Sequence, residues 1–73
     1  MKKSISISVS VMIWANIRKI QNIGHISDEK LAYILEVSTR TLYNYDKEPE
    51  RLTLKKIEGF MKYTGVQFQY LIQ

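Results

Sequence analysis

Between residues 38 and 46 the chain reads STRTLYNYD, and its most specific side-chain chemistry lies there. Thr39, Arg40, Tyr43 and Asn44 supply a guanidinium fork, hydroxyls and a carboxamide. These groups donate and accept hydrogen bonds toward an external polar partner rather than transfer protons. The remaining reactive residues form no comparable set. Glu48 and Glu50 flank Pro49 in an expected loop, without the separately placed acid, base and pocket that hydrolysis requires. Cys is absent and His25 is the one histidine, so thiolate and histidine-rich metal sites are excluded. Neither an enzyme nor a cofactor is expected.

Several elements must position this stretch. Ser38 can cap a helix running to about Asp46, with Leu42 and Tyr45 turned inward and Thr39, Arg40, Tyr43 and Asn44 on the accessible flanks. Ahead of it, Ser27 precedes Asp28 and Glu29, which suit the exposed amides of a helix start, so a helix is expected over about residues 28–35. Leu31, Ala32 and Leu35 form its inner face, small Ala32 permits close approach of another helix, and Val37 plugs the bend. Upstream, Ile13, Ile17 and Ile20 recur at helical spacing with Trp14 beside them. They predict a core-packed helix over about residues 11–22, capped by Ser10 and left through a left-handed Gly24, with His25 as a loop or cap residue.

Downstream, Pro49 breaks the chain and Thr53 restarts it. Leu54, Ile57, Phe60 and Met61 describe an amphipathic helix through about Tyr63, ended by Gly65. Val66, Tyr70 and Leu71 then predict a last short helix over residues 66–72 that closes the core or, as the alternative, makes a subunit contact, with Phe68 or Ile72 at its edges. At the other end Ile5, Ile7, Val9 and Val11 alternate with Ser4, Ser6, Ser8 and Ser10, a strand pattern available for pairing with a second subunit. The expected fold class is all-α, a compact four- or five-helix domain over residues 11–73. Residues 1–10 are expected to form an N-terminal extension, a candidate dimerisation strand.

Composition agrees with one small domain: 73 residues, 45% of them apolar, one Pro and three Gly. A chain of this size buries only about 60% of its unfolded surface and has little room for a deep catalytic pocket. The formal net charge of +4 biases it toward polyanions. Residues 1–26 carry no acid, whereas residues 27–51 hold six acids against four bases. The opening MKKSISISVSVMIWANI lacks the long apolar run and small-residue cleavage site of a secretion signal. No segment approaches the roughly 20 apolar residues of a membrane span. A cytoplasmic location, away from membranes, is expected.

Two short helices joined by a brief turn, the second presenting an Arg and compact polar groups, meet the demands of a helix-turn-helix reader. The DNA major groove admits one helix, and base edges are distinguishable there, whereas phosphate attraction alone identifies no sequence. The run LAYILEVSTRTLYNYDKEP resembles the phage repressor and Cro-like helix-turn-helix family. The resemblance covers residues 28–47 and extends more loosely over 11–72. It implies that Ala32 allows close packing of the motif helices and that Val37 and Leu42 fix their angle. Glu36 falls where the family commonly has Gly, so the turn either accepts a left-handed non-Gly residue or takes a different form, and a left-handed Glu would store of order 1 kcal/mol.

The same resemblance makes Thr39, Arg40 and Asn44 the base-reading residues. Arg40 would pair with guanine O6 and N7, Asn44 with adenine N6 and N7, and Thr39 would use its hydroxyl or meet a thymine methyl. Ser38 and Tyr43 match positions that meet DNA phosphates. Asp28 stands where relatives often carry a phosphate-contacting Gln; a carboxylate would repel phosphate, so that role is not transferred. Phosphate attraction is left to Arg40, Lys47, Arg51 and Lys19. The implied function is sequence-specific binding of double-stranded DNA by a transcriptional regulator of bacterial or phage type, an operator-binding repressor without cofactor. A homodimer would set two reading helices about 34–36 Å apart on a palindromic operator. The alternative is a small protein-binding adaptor or antitoxin-type partner protein, working through Ile5, Ile7 and Val9 or through a Tyr-rich helical surface.

Overall fold

Ser8 opens the first helix: its Oγ accepts the Val11 amide at 3.1 Å, and its carbonyl accepts the Met12 amide. The computed structural model describes residues 8–73. Helix α1 spans Val9–Ile23, so it starts ahead of residue 11 and is capped by Ser8 rather than Ser10. Val9 and Val11, expected in a strand, lie instead in its first turn, both exposed; Ile5 and Ile7 lie outside the described residues. Alternation over so short a run does not distinguish the two conformations, and the Ser8 cap favours the helix by satisfying an amide that would otherwise lack a partner.

Ile13, Trp14, Ile17 and Gln21 form the buried side of α1. Its exit corrects the expectation for Gly24, which has φ −85°, while His25 takes the left-handed conformation at φ 56°. Gly24 caps the helix with negative φ, and the reversal falls one residue later. The His25 amide returns to the Asn22 carbonyl and the Ile26 amide to the Gln21 carbonyl, the paired closure of a Schellman turn. Glycine serves close approach here: a Cβ would stand 3.3 Å from the Ile20 carbonyl and 3.6 Å from the Ile26 side chain.

Helix α2, Asp28–Leu35, is capped by Ser27, and helix α3, Thr39–Lys47, by Ser38, as expected. The turn between them is a second Schellman closure. Glu36 is left-handed at φ 59° and ψ 47°, its amide bonds to Tyr33, and the Val37 amide bonds to the Ala32 carbonyl. A single 3₁₀ turn, Pro49–Arg51, follows α3 and packs against α1 and α3. Thr53 then caps helix α4, Leu54–Thr64, which ends at left-handed Gly65, φ 78°.

Leu54 departs from the expected core face. It is 64% exposed in the first turn of α4, whereas Ile57, one turn later, is buried. The expected helix over residues 66–72 is reduced to one 3₁₀ turn, Phe68–Tyr70. Only Leu71 of that segment enters the core completely, and Tyr70 is exposed. Besides its own bonds, Tyr70 amide to Gln67 and Leu71 amide to Phe68, the segment is tied by Asn16, whose Nδ2 donates to the Leu71 carbonyl at 2.8 Å and to that of Gln73.

The described residues thus form an all-α domain of four helices, with two 3₁₀ turns and no strand. Its centre consists of Ile17, Leu31, Leu35, Leu42, Phe60 and Leu71, all fully buried. Each such side chain contributes about 1.5–3 kcal/mol by leaving water, and together they hold α2 against both α3 and α4.

Candidate nucleic-acid interface

Helix α3 is fastened from behind. Leu42 and Tyr45 are buried, Tyr45 meeting Trp14 edge-on at a centroid separation of 5.2 Å. Ala32 is buried in α2 and Val37 partly buried in the turn, as the sequence pattern requires for closely approaching helices. With that side occupied, Arg40, Tyr43, Asn44 and Lys47 are exposed on the other, and Thr39 is partly exposed at the first position. Arg40, Asn44 and Lys47 recur at i, i+4 and i+7, one stripe of a helix.

A polar cluster locks α1, α2 and α3 together beside this stripe. Arg18 donates from Nε and Nη2 to the two carboxylate oxygens of Asp46, at 3.1 and 2.9 Å. Its Nη1 donates to Asp28 Oδ1 and to Gln21 Oε1, both at 2.8 Å. Trp14 Nε1 donates to Asp46 at 2.7 Å, and the Arg18 guanidinium carbon lies 5.3 Å from the Trp14 ring centroid. Gln21 Nε2 completes the set by donating to Asp28 at 2.7 Å, and among the described residues no buried side-chain polar atom lacks a partner.

The cluster has electrostatic consequences. Hydrogen bonds from Gln21 and then Arg18 hold the Asp28 carboxyl below the usual range. For Asp46, partial burial pulls the carboxyl upward, but the bonds from Arg18 and Trp14 outweigh it and the net shift is down. Desolvation opposes the charge on Arg18, and the bonds to Asp46 and Asp28 again prevail, raising its pKa. One guanidinium faces two carboxylates, so this corner is locally negative and unsuited to phosphate.

The predicted site residues are thus partly gathered and partly dispersed. Tyr43 donates its hydroxyl to Asp28 Oδ2 of α2 at 3.1 Å, a bond that raises its pKa. Ser38 Oγ accepts the Thr41 amide and meets the Thr41 hydroxyl, so it serves its own helix. Arg51 is paired with Glu48, both exposed, within the turn that follows α3. Lys19 lines a different groove, between α1 and the C-terminal segment, with Ile20, Thr64 and Tyr70. His25 is exposed at the end of α1. Arg40, Asn44 and Lys47 therefore carry the stripe.

The residues that sequence reasoning missed are Arg18, Gln21 and Asp46. A usable signal existed in α1, where Trp14, Arg18 and Gln21 recur at i, i+4 and i+7, but nothing local specified their acidic partners. Among the described residues no group of His, Asp or Glu could hold a metal ion, and no helix is long and apolar enough to cross a membrane. Comparison of the chain with protein-family models, with curated proteins and with solved structures finds no match.

Proposed function

We propose that the protein is a sequence-specific double-stranded DNA-binding regulator of transcription in the phage repressor and Cro-like helix-turn-helix class. In this proposal α3 enters the major groove. The observation that carries it is the division of α3, with Leu42 and Tyr45 buried behind and Arg40, Asn44 and Lys47 exposed in one stripe in front. Arg40 and Asn44 would read base edges, and Thr39 the base beside the helix start. Lys47 would meet phosphate, joined by Arg51 once released from Glu48, by Tyr43 once its hydroxyl is released from Asp28 and by Ser38 once its hydroxyl turns from Thr41. The Arg18 cluster supports the role by holding α3 at one angle before DNA arrives, which reduces the ordering cost of binding.

A homodimer on a palindromic operator would double the readout, with half-sites about one helical turn, 34–36 Å, apart. Repression by occupying an operator in the cytoplasm needs no cofactor and no catalytic step. The test is selection from random duplex DNA with the full chain, followed by binding measurements on one and two recovered half-sites. Recovery of an ordered, paired motif is the expected result. Binding without sequence preference at any salt concentration would remove the proposed reader.

A further inference from the structure

Along the seam where α2 packs on α4, two open grooves lie side by side, both bordered by Ile34, Glu36, Gly59 and Lys62. Each has a volume of about 850 Å³. Leu35, Met61, Val66 and Phe68 line the first, and Tyr33 and Tyr63 wall the second. Tyr33 is 70% exposed and Phe68 42%, so the apolar surface is open to solvent. Arg40, Asn44 and Lys47 border neither groove, and Ser38, the cap of α3, borders the second at its edge.

The rim is positively charged. Lys55, Lys56 and Lys62 border the grooves, Lys30 stands beside Tyr33 and Tyr63, and among the described residues none of the four forms a salt bridge. The acids on the same rim are Glu36 and Glu58. Lys56 Nζ donates to the Glu36 carbonyl at 3.3 Å, which places an ammonium over the left-handed turn. Lys30 Nζ lies 5.3 Å from each of the Tyr33 and Tyr63 ring centroids, so it braces the aromatic wall from α2.

We propose that this seam receives a short acidic amphipathic helix from a partner protein. Apolar side chains at i, i+3 or i+4 and i+7 would enter the grooves, and flanking carboxylates would meet the unpaired lysines. The seam has the required length: α2 has 8 residues and α4 has 11, which at 1.5 Å per residue gives about 12–16 Å, or two to three helical turns. A nucleic acid fits less well, because aliphatic Leu35, Met61 and Val66 line the first groove and a sugar–phosphate backbone would leave them uncovered, whereas the apolar face of a helix covers them.

The test is selection of random 12-residue peptides on the full chain, followed by titration of a recovered peptide, its lysine-for-acid counterpart and a 12-nucleotide single strand. Acidic peptides with apolar residues at helical spacing should be recovered and should perturb the backbone amides of Ile34, Gly59, Met61 and Phe68. Binding should weaken at least tenfold in the double variant Lys55→Glu/Lys62→Glu and at least tenfold between 50 and 500 mM salt, with thermal stability and the α3 amides unchanged. The lysine-for-acid peptide provides a check on the unmodified protein and should not bind. Recovery of no peptide, recovery of uncharged or basic peptides, affinity within twofold in the double variant, or displacement of the peptide by the oligonucleotide would each overturn the proposal.

Discussion

Replacing Arg18 by Ala isolates the device that holds α3 in place. The guanidinium donates to Asp46, Asp28 and Gln21 and stacks on Trp14, so its loss acts on three helices at once. The side chains of Arg18, Asp28 and Asp46 are 25%, 34% and 43% exposed, so solvent screens each ion pair to about 0.5–1 kcal/mol. Lost stacking on Trp14 adds about 0.5–1 kcal/mol, and leaving the carbonyl of buried Gln21 without its donor adds about 1 kcal/mol. The sum is about 3 kcal/mol, a fall in Tm of about 12–24 °C for a domain of this size.

The pH dependence supplies a sharper check. The carboxyls of Asp28 and Asp46 both sit below their ordinary value in the folded protein. Their contribution is therefore complete above the unfolded aspartate pKa of about 3.9 and is lost as pH falls through the lower folded-state values. Thermal unfolding followed by circular dichroism, with Trp14 fluorescence as a second probe, should show an acid limb that is steep in the wild type and shallower in Arg18→Ala. Part of the limb should survive, because Gln21 still donates to Asp28. A Tm change under about 4 °C, together with an unaltered acid limb, would refute a stabilising cluster.

Other perturbations separate backbone, base-reading and charge effects. Glu36→Gly relieves a left-handed backbone at φ 59° and should stabilise the domain by about 0.5–1 kcal/mol in denaturant titrations without altering the selected DNA motif; a loss of stability would contradict the strain. Gly65→Ala, at φ 78° with open space around the added Cβ, should destabilise by about 1 kcal/mol through the backbone alone. Arg40→Ala and Asn44→Ala should each relax discrimination at one base position by about 1–3 kcal/mol in competition binding, and an unchanged recovered motif for both would exclude them as readers. Lys47→Ala should weaken binding to all sequences alike and reduce the slope of log affinity against log salt by about 1, whereas an unchanged slope would remove the phosphate contact.

Legibility followed the range of the interactions involved. Ser27, Ser38 and Thr53 cap helices within three residues of themselves, and each helix start was readable from the chain. The same holds for Leu31, Ala32 and Leu35, for Leu42 and Tyr45, and for the stop at Gly65, all set by helical periodicity or one backbone conformation. Errors arose where two local solutions compete. Ser8 and Ser10 are both capable caps, and Gly24 and His25 both stand at a helix exit, where Ile26 packs back beside Gly24. The segment after Gly65 has enough apolar residues for a helix, but only Leu71 is fully interior, tied there by Asn16 from the far end of the chain, while Val66 packs at the edge of the core.

By itself the sequence determined the all-α class, the order of α1 to α4 though not whether a fifth helix follows, and the residues of α3 that lie on its inner and outer flanks, because capping and a 3.6-residue period act within a few residues. It left open the conformation at Glu36, since a non-Gly residue there has two ways to turn. Tertiary structure decided that turn, with the Val37 amide closing onto Ala32 and Lys56 reaching across from α4. It also decided the joining of Arg18 to Asp28 and Asp46, which are 10 and 28 positions away in the chain. No local pattern encodes such partners; they meet only after the buried faces of three helices have brought them within hydrogen-bond distance.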